Sequence, residues 1–228
     1  MASDRAPARS RPLAAGALLL AAWLASCSGR PPVLVPPPGG VDAVEGYASA
    51  SVSGAEASVK GRFAFHFRRP GLGRVEAFDP LGRTLFLVYF RDGRAWFVLP
   101  SRKVYSEADA DVMMDRFLGI AVRPDETVSL LSGLWPSIGE EADWSVERDA
   151  QGRVVRGERS GFSFTVRSFF RGDGAPRELA LAGAGTSGRL KVLRLAFNPA
   201  GRDEAFDVAF LGRYAARTWE EILELLDR

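Results

Sequence analysis

Phe63, Phe65 and Phe67 alternate with Arg62, Ala64, His66 and Arg68. A period of two marks an extended chain with one apolar face, because successive side chains of a strand point to opposite sides. Further strand-like runs occupy 74–78, 84–90, 95–99, 144–148, 154–159, 162–169, 178–182, 190–197 and 205–211. Turn signals separate them: Asp79-Pro80-Leu81-Gly82, Asp92-Gly93, Ala150-Gln151-Gly152, Asp173-Gly174 and Thr186-Ser187-Gly188. Many short strands at hairpin spacing predict a mainly β fold, an antiparallel meander that curls into a barrel or half-barrel.

Two helical patches interrupt the strands. Residues 108–118 place Val112, Met113 and Phe117 at helical spacing. Asp125 is a candidate cap for a second helix with Val128, Leu131 and Leu134 on one face, ended by Trp135-Pro136. A third helix closes the chain, since Thr218 followed by Glu221 is a capping box and Trp219, Ile222, Leu223 and Leu226 form an apolar stripe.

The first 26 residues read as a leader. Arg5, Arg9 and Arg11 precede an apolar run from Leu13 to Leu24, then Leu24-Ala25-Ser26-Cys27. At about 12 residues that run is too short to span a bilayer as a helix, and its order is that of a secretory signal peptide. Leu-Ala-Ser-Cys looks like the lipobox of bacterial lipoproteins. That likeness implies cleavage before Cys27 and acylation of that residue, with a fatty acid such as palmitate as the anchor. The alternative is a soluble exported protein with a stray cysteine. Residues 27–40 are proline-rich and read as a tether in extended polyproline geometry. One folded domain is expected over 41–228.

The 228 residues carry a formal charge of +2. The leader holds three arginines and one aspartate, so the mature remainder is neutral and offers no electrostatic footprint for nucleic acid. One cysteine excludes an internal disulfide, and one histidine excludes histidine-rich zinc sites. His66 sits opposite the phenylalanine face with arginines and reads as a solvent-side or sheet-face residue rather than a base. Asp109, Asp111 and Asp115 do not match a calcium loop and read as a solvated helix edge. No catalytic residue is identified; the chain reads as a non-enzyme that needs no cofactor and no metal.

Leu81 stands out instead. Proline and glycine make its turn, so it is expected at a hairpin tip, pointing away from the sheet. It is either a functional contact, a tip that folds back on the core, or a lone exposed leucine that needs no explanation.

The order of features from Gly73 to Pro136 resembles the outer-membrane lipoprotein receptor family LolB. The shared run is the strand begun by Arg74, Pro80-Leu81-Gly82, the alternating strand at 84–90, and the Asp92-Gly93 turn. Arg102-Lys103-Val104-Tyr105-Ser106, an acidic helix, Gly119, Pro124 and Leu131-Ser132-Gly133-Leu134-Trp135-Pro136 follow. The resemblance implies an unclosed antiparallel half-barrel with helices covering its open side around an apolar cavity. It implies a monomer anchored at the outer membrane, facing the periplasm, that accepts acylated lipoproteins from a LolA-like periplasmic carrier and inserts them into that membrane. Leu81 maps onto the family's membrane-engaging leucine. Phe65, Phe86, Val88 and Trp96 are the candidate cavity residues, on a strand phase that a one-residue slip would reverse. The turn begins with Asp79 where asparagine is expected, and the C-terminal helix is longer and more apolar than the family pattern. An anchored envelope scaffold, or a binder of another amphiphile on the same fold, is the alternative reading.

Overall fold

The computed structural model describes residues 33–228 apart from 54–57, 119–121, 136–142, 160, 173, 184, 202, 227 and 228. Cys27, the leader and residues 27–32 of the tether lie outside the described residues, as does Gly119. The chain forms β1 (Ala43–Ser53), β2 (Ser58–Arg68), β3 (Leu72–Phe78), β4 (Thr84–Arg91), β5 (Arg94–Leu99) and β6 (Val104–Asp109). Helices α1 (Ala110–Leu118) and α2 (Pro124–Ser132) follow. The second half contains β7 (Ser145–Arg148), β8 (Val154–Arg159), β9 (Phe162–Phe169), β10 (Pro176–Gly183) and β11 (Thr186–Phe197). Two 3-10 turns (Asp203–Phe206 and Ala209–Arg213), β12 (Ala215–Ala216) and α3 (Trp219–Leu226) end it.

Tight turns decide the topology. Asp92 and Gly93 both have positive φ, 52° and 75°, the geometry whose twist matches paired strands, so β4 returns directly as β5. Two such meanders, β1–β6 and β7–β11, join along β1 and β11 in one sheet. The order is β12-β6-β5-β4-β3-β2-β1-β11-β10-β9-β8-β7, with β12 and β7 at opposite edges. The sheet is an unclosed half-barrel. Every pairing is antiparallel except β12 on β6.

All three helices contribute buried side chains to the large apolar cluster on one face of this sheet, called here the inner face. Phe65, Phe67, Val75, Val88, Phe90, Phe97, Phe162, Phe164 and Leu179 project into it from the strands. Met113 and Met114 of α1, Val128 and Leu131 of α2, and Ile222 of α3 close over them. A smaller cluster on the outer face joins Leu87, Tyr89 and Val98 to Leu211. Leu34 packs on the main cluster and its N–H donates to the Arg171 carbonyl at 2.9 Å, so the proline-rich segment already lies on the domain there.

Gly46 shows how tightly β1 is sandwiched. It pairs with Leu195 on one side and Phe65 on the other. A β-carbon there would overlap the Arg194 carbonyl and the Phe65 ring. Gly46→Ala is expected to cost about 1–3 kcal/mol, seen as a lower urea midpoint at constant slope.

Several sequence expectations need correction. Residues 205–211 form no strand. The Asp207 carboxylate accepts the Ala209 N–H at 2.9 Å and nucleates a 3-10 turn, a local bond that competes with sheet pairing. The β1 and β6 strands escaped the hydrophobic pattern because they are rich in small or polar residues. Helix α1 starts at Ala110, since Ala108 and Asp109 still pair with Ala95 and Arg94. The N-cap of α2 is Arg123, not Asp125, and the helix ends at Gly133 with φ 75°. Val112 and Leu134 are exposed. In α3 the capping box forms as read: Thr218 N–H donates to Glu221 at 2.9 Å and Glu221 N–H to Thr218 Oγ1 at 3.2 Å. Leu223 and Leu226 remain exposed.

Candidate functional site: inner face and protruding turn

Strand register sorts the predicted cavity residues. Val88 pairs with Phe97, and Tyr89 with Trp96. Phe65, Phe86 and Val88 therefore share the inner face, whereas Trp96 packs with Tyr89 and Leu211 on the outer face. Phe97 takes the place assigned to Trp96. It stacks on Phe86 with ring centroids 4.9 Å apart and meets the edge of Trp219 at 5.2 Å. In 95–99 every side chain is apolar, so alternation could not tell the two faces apart.

Among the described residues, several inner-face side chains are packed against one another. Phe65, Val88 and Phe97 are buried. Ile222 and Trp219 occupy the space over β5 and β6. A groove of about 360 Å³ lies on the other face, lined by Glu45, Tyr47, His66, Arg74, Glu76 and Arg194. His66 is sheet-facing but not open to solvent. It is 8% exposed and lies 4.6 Å from the Phe206 ring, covered by the first 3-10 turn.

Helix α2 is held over the inner face by polar anchors. Arg69 donates to the Asp125 carbonyl at 3.4 Å and to Ser129 Oγ. Gly71 N–H donates to Asp125 Oδ1 at 2.6 Å, which explains that residue's presence without a cap role. Glu126 is only 1% exposed. It accepts the Arg123 backbone N–H at 2.7 Å, Trp144 Nε1–H at 3.1 Å and both Arg123 and Arg159 guanidinium groups. Burial pushes its carboxyl up, but the Arg123 N–H, the indole, and the two cations outweigh that and hold it below the usual glutamate value. Sequence reading missed this residue. The signal was Pro124 at the first helical position with a glutamate two residues on, a capping-box arrangement.

Leu81 is 79% exposed at the tip of the β3–β4 turn. Asp79 braces that turn: Oδ1 accepts the N–H groups of Leu81 and Arg83 at 2.8 and 2.9 Å, and Oδ2 accepts Arg83 Nε at 2.6 Å. The Arg83 N–H, first among these donors, keeps the Asp79 carboxyl below its ordinary value. The charge pair with Arg83 is what aspartate adds over asparagine. The β7–β8 turn repeats the device, with Asp149 accepting from Gln151, Arg153 N and Arg153 Nε at 3.0, 2.9 and 2.7 Å. Its tip carries Ala150-Gln151. The same backbone is thus built around a polar tip elsewhere in the chain, so the turn itself does not require a leucine.

No protein-family model and no curated protein matches the chain. Solved structures do match it. A LolA superfamily protein from Nitrosomonas europaea aligns with TM-score 0.53 over 77% of this chain and 94% of its own, at 13% identity. The fold is LolA-like. An outer membrane lipoprotein-sorting protein domain from Vibrio parahaemolyticus aligns with TM-score 0.53 over 75% and 92%, at 14% identity. A DUF1329 family protein from Desulfovibrio piger aligns with TM-score 0.52 over the same shares, at 12% identity. At these identities the likeness is one of fold. No described helix of this LolA-like chain is long and apolar enough to cross a membrane.

Proposed function

We propose that this chain is a lipid-anchored envelope protein, held at Cys27, that accepts acylated lipoproteins from a periplasmic carrier and inserts them into the outer membrane. The observation that carries the reading is Leu81, an exposed leucine on a turn braced by Asp79 and Arg83, projecting from a LolA-like sheet. Its task is to engage the membrane. Acyl chains resist transfer through water by about 0.8 kcal/mol per CH₂, so a handover needs an apolar surface and no polar readout. The aromatic inner face, with Phe65, Phe86, Val88 and Phe97, supplies that surface once a helix moves aside. Binding and transfer, not bond chemistry, are the work of such a site. Sharing a fold with an outer membrane lipoprotein-sorting domain adds support.

The test uses the chain from residue 28 onward, which retains the compact unit formed by residues 33–228. Leu81→Glu should leave uptake of a labelled lipoprotein unchanged. It should reduce delivery to liposomes on the order of tenfold or more, since a buried leucine contributes about 1.5–3 kcal/mol and a carboxylate opposes entry. Normal delivery by the variant would sink the role of this turn. A second reading, an anchored envelope scaffold, is favoured by the packing of Trp219 and Ile222 of α3 onto the inner face. Failure of the wild-type protein to bind any acyl probe would select it.

A further inference from the structure

In an antiparallel meander alternate connections fall at the same end of the sheet. The β3–β4 turn bearing Leu81 therefore shares an end with the β5–β6 turn, which holds Arg102 and Lys103. Arg62 lies there too, paired with Phe78 in the β2–β3 ladder. The second 3-10 turn brings Arg213 to the same place, because the Ala215 N–H donates to the Lys103 carbonyl at 2.9 Å. All four side chains are exposed, and among the described residues none has an ion-pair partner. Among the described residues near this turn, Asp79 is engaged by Arg83 and Glu76 by Arg74 and Thr84. At the opposite end the exposed Asp92 and Asp109 are neutralised by ion pairs with Arg91 and Arg94. Among the described residues, the rim with the protruding leucine thus carries four exposed cations without ion-pair partners.

We propose that this rim is a docking surface for an anionic phospholipid bilayer. Leu81 enters the acyl region while Arg62, Arg102, Lys103 and Arg213 lie at the level of the phosphates. The geometry suits a planar anionic surface, since the four cations flank the tip instead of lining a cleft. The inference rests on the reading that Leu81 engages a membrane, and it names the lipid class which that contact selects. Cations near a charged bilayer strengthen binding additively, and salt screens them within a Debye length.

The chain from residue 28 onward is sedimented with phosphatidylcholine vesicles with and without phosphatidylglycerol. Wild type should bind the anionic vesicles more tightly, and added salt should erase the difference. The double variant Arg102→Gln, Lys103→Asn alters exposed turn positions, and asparagine tolerates the positive φ of 52° found at Lys103. It should lose about fivefold per cation, roughly 25-fold in all, on anionic vesicles alone. Leu81→Glu should weaken binding to both kinds of vesicle. Equal wild-type binding to both would overturn the charge selectivity while leaving membrane engagement intact. Equal loss on both from the double variant would likewise overturn it. Absence of wild-type binding to either would overturn membrane engagement itself, and the rim's role with it.

Discussion

Glu126→Ala is expected to remove about 3–5 kcal/mol of folding stability, read as a lower denaturant midpoint. The carboxylate is buried against the Trp144 and Arg159 side chains, with the Arg159 guanidinium 4.8 Å above the indole ring. Alanine removes the buried carboxylate that Arg159 pairs with and leaves the Trp144 N–H without this acceptor, and breaking a buried pair by deleting one partner is the costly outcome. Glu126→Gln keeps the shape and an acceptor for the indole, so it should fall between the two. The pH dependence has a definite sign. The folded carboxyl titrates below its unfolded counterpart, so its contribution is complete above the usual glutamate range and is lost as pH falls through the folded value. Glu126→Gln should therefore flatten the acid limb of the stability curve. An alanine variant with the wild-type midpoint would show that this cluster does not hold α2.

Phe97→Ala should cost a comparable amount, about 3–5 kcal/mol, because a buried phenylalanine leaves a cavity its neighbours only partly fill. The effect should be local as well as global. Phe97 supports Trp219, which anchors α3 over the inner face, with the Arg116 guanidinium 5.8 Å from the Trp219 ring. Amide exchange in 219–226 should accelerate more than in the β9 strand, far across the sheet. Uniform acceleration would mean that α3 is held by other contacts. The same variant bears on function, since it loosens the element that fills the space above β5 and β6.

What the chain revealed in advance, and what it hid, follows from the range of each interaction. Phe63, Phe65 and Phe67 stood against arginines, so their strand and its apolar face were both legible. Ala95 to Leu99 is apolar throughout, so the strand was legible and its phase was not, which put Trp96 in the place of Phe97. β1 carries alanine, serine and glycine because it is squeezed between β2 and β11, and small residues leave a weak alternation. Leu81 was legible because proline and glycine fix a turn locally. Glu126 was not, since its partners Trp144 and Arg159 come from 18 and 33 residues away.

The sequence by itself determined the elements: nine of its strand-like runs, three helices, the hairpin turns and a lone leucine at one tip. Periodicity and turn chemistry act over a few residues, so they survive being read in one dimension. The tertiary structure alone decided which face of the sheet the helices cover and where the charges fall. Most carboxylates pair with a neighbouring arginine, whereas Arg62, Arg102, Lys103 and Arg213 converge at one rim because alternate hairpins end there. That convergence leaves Leu81 beside the unpaired cations.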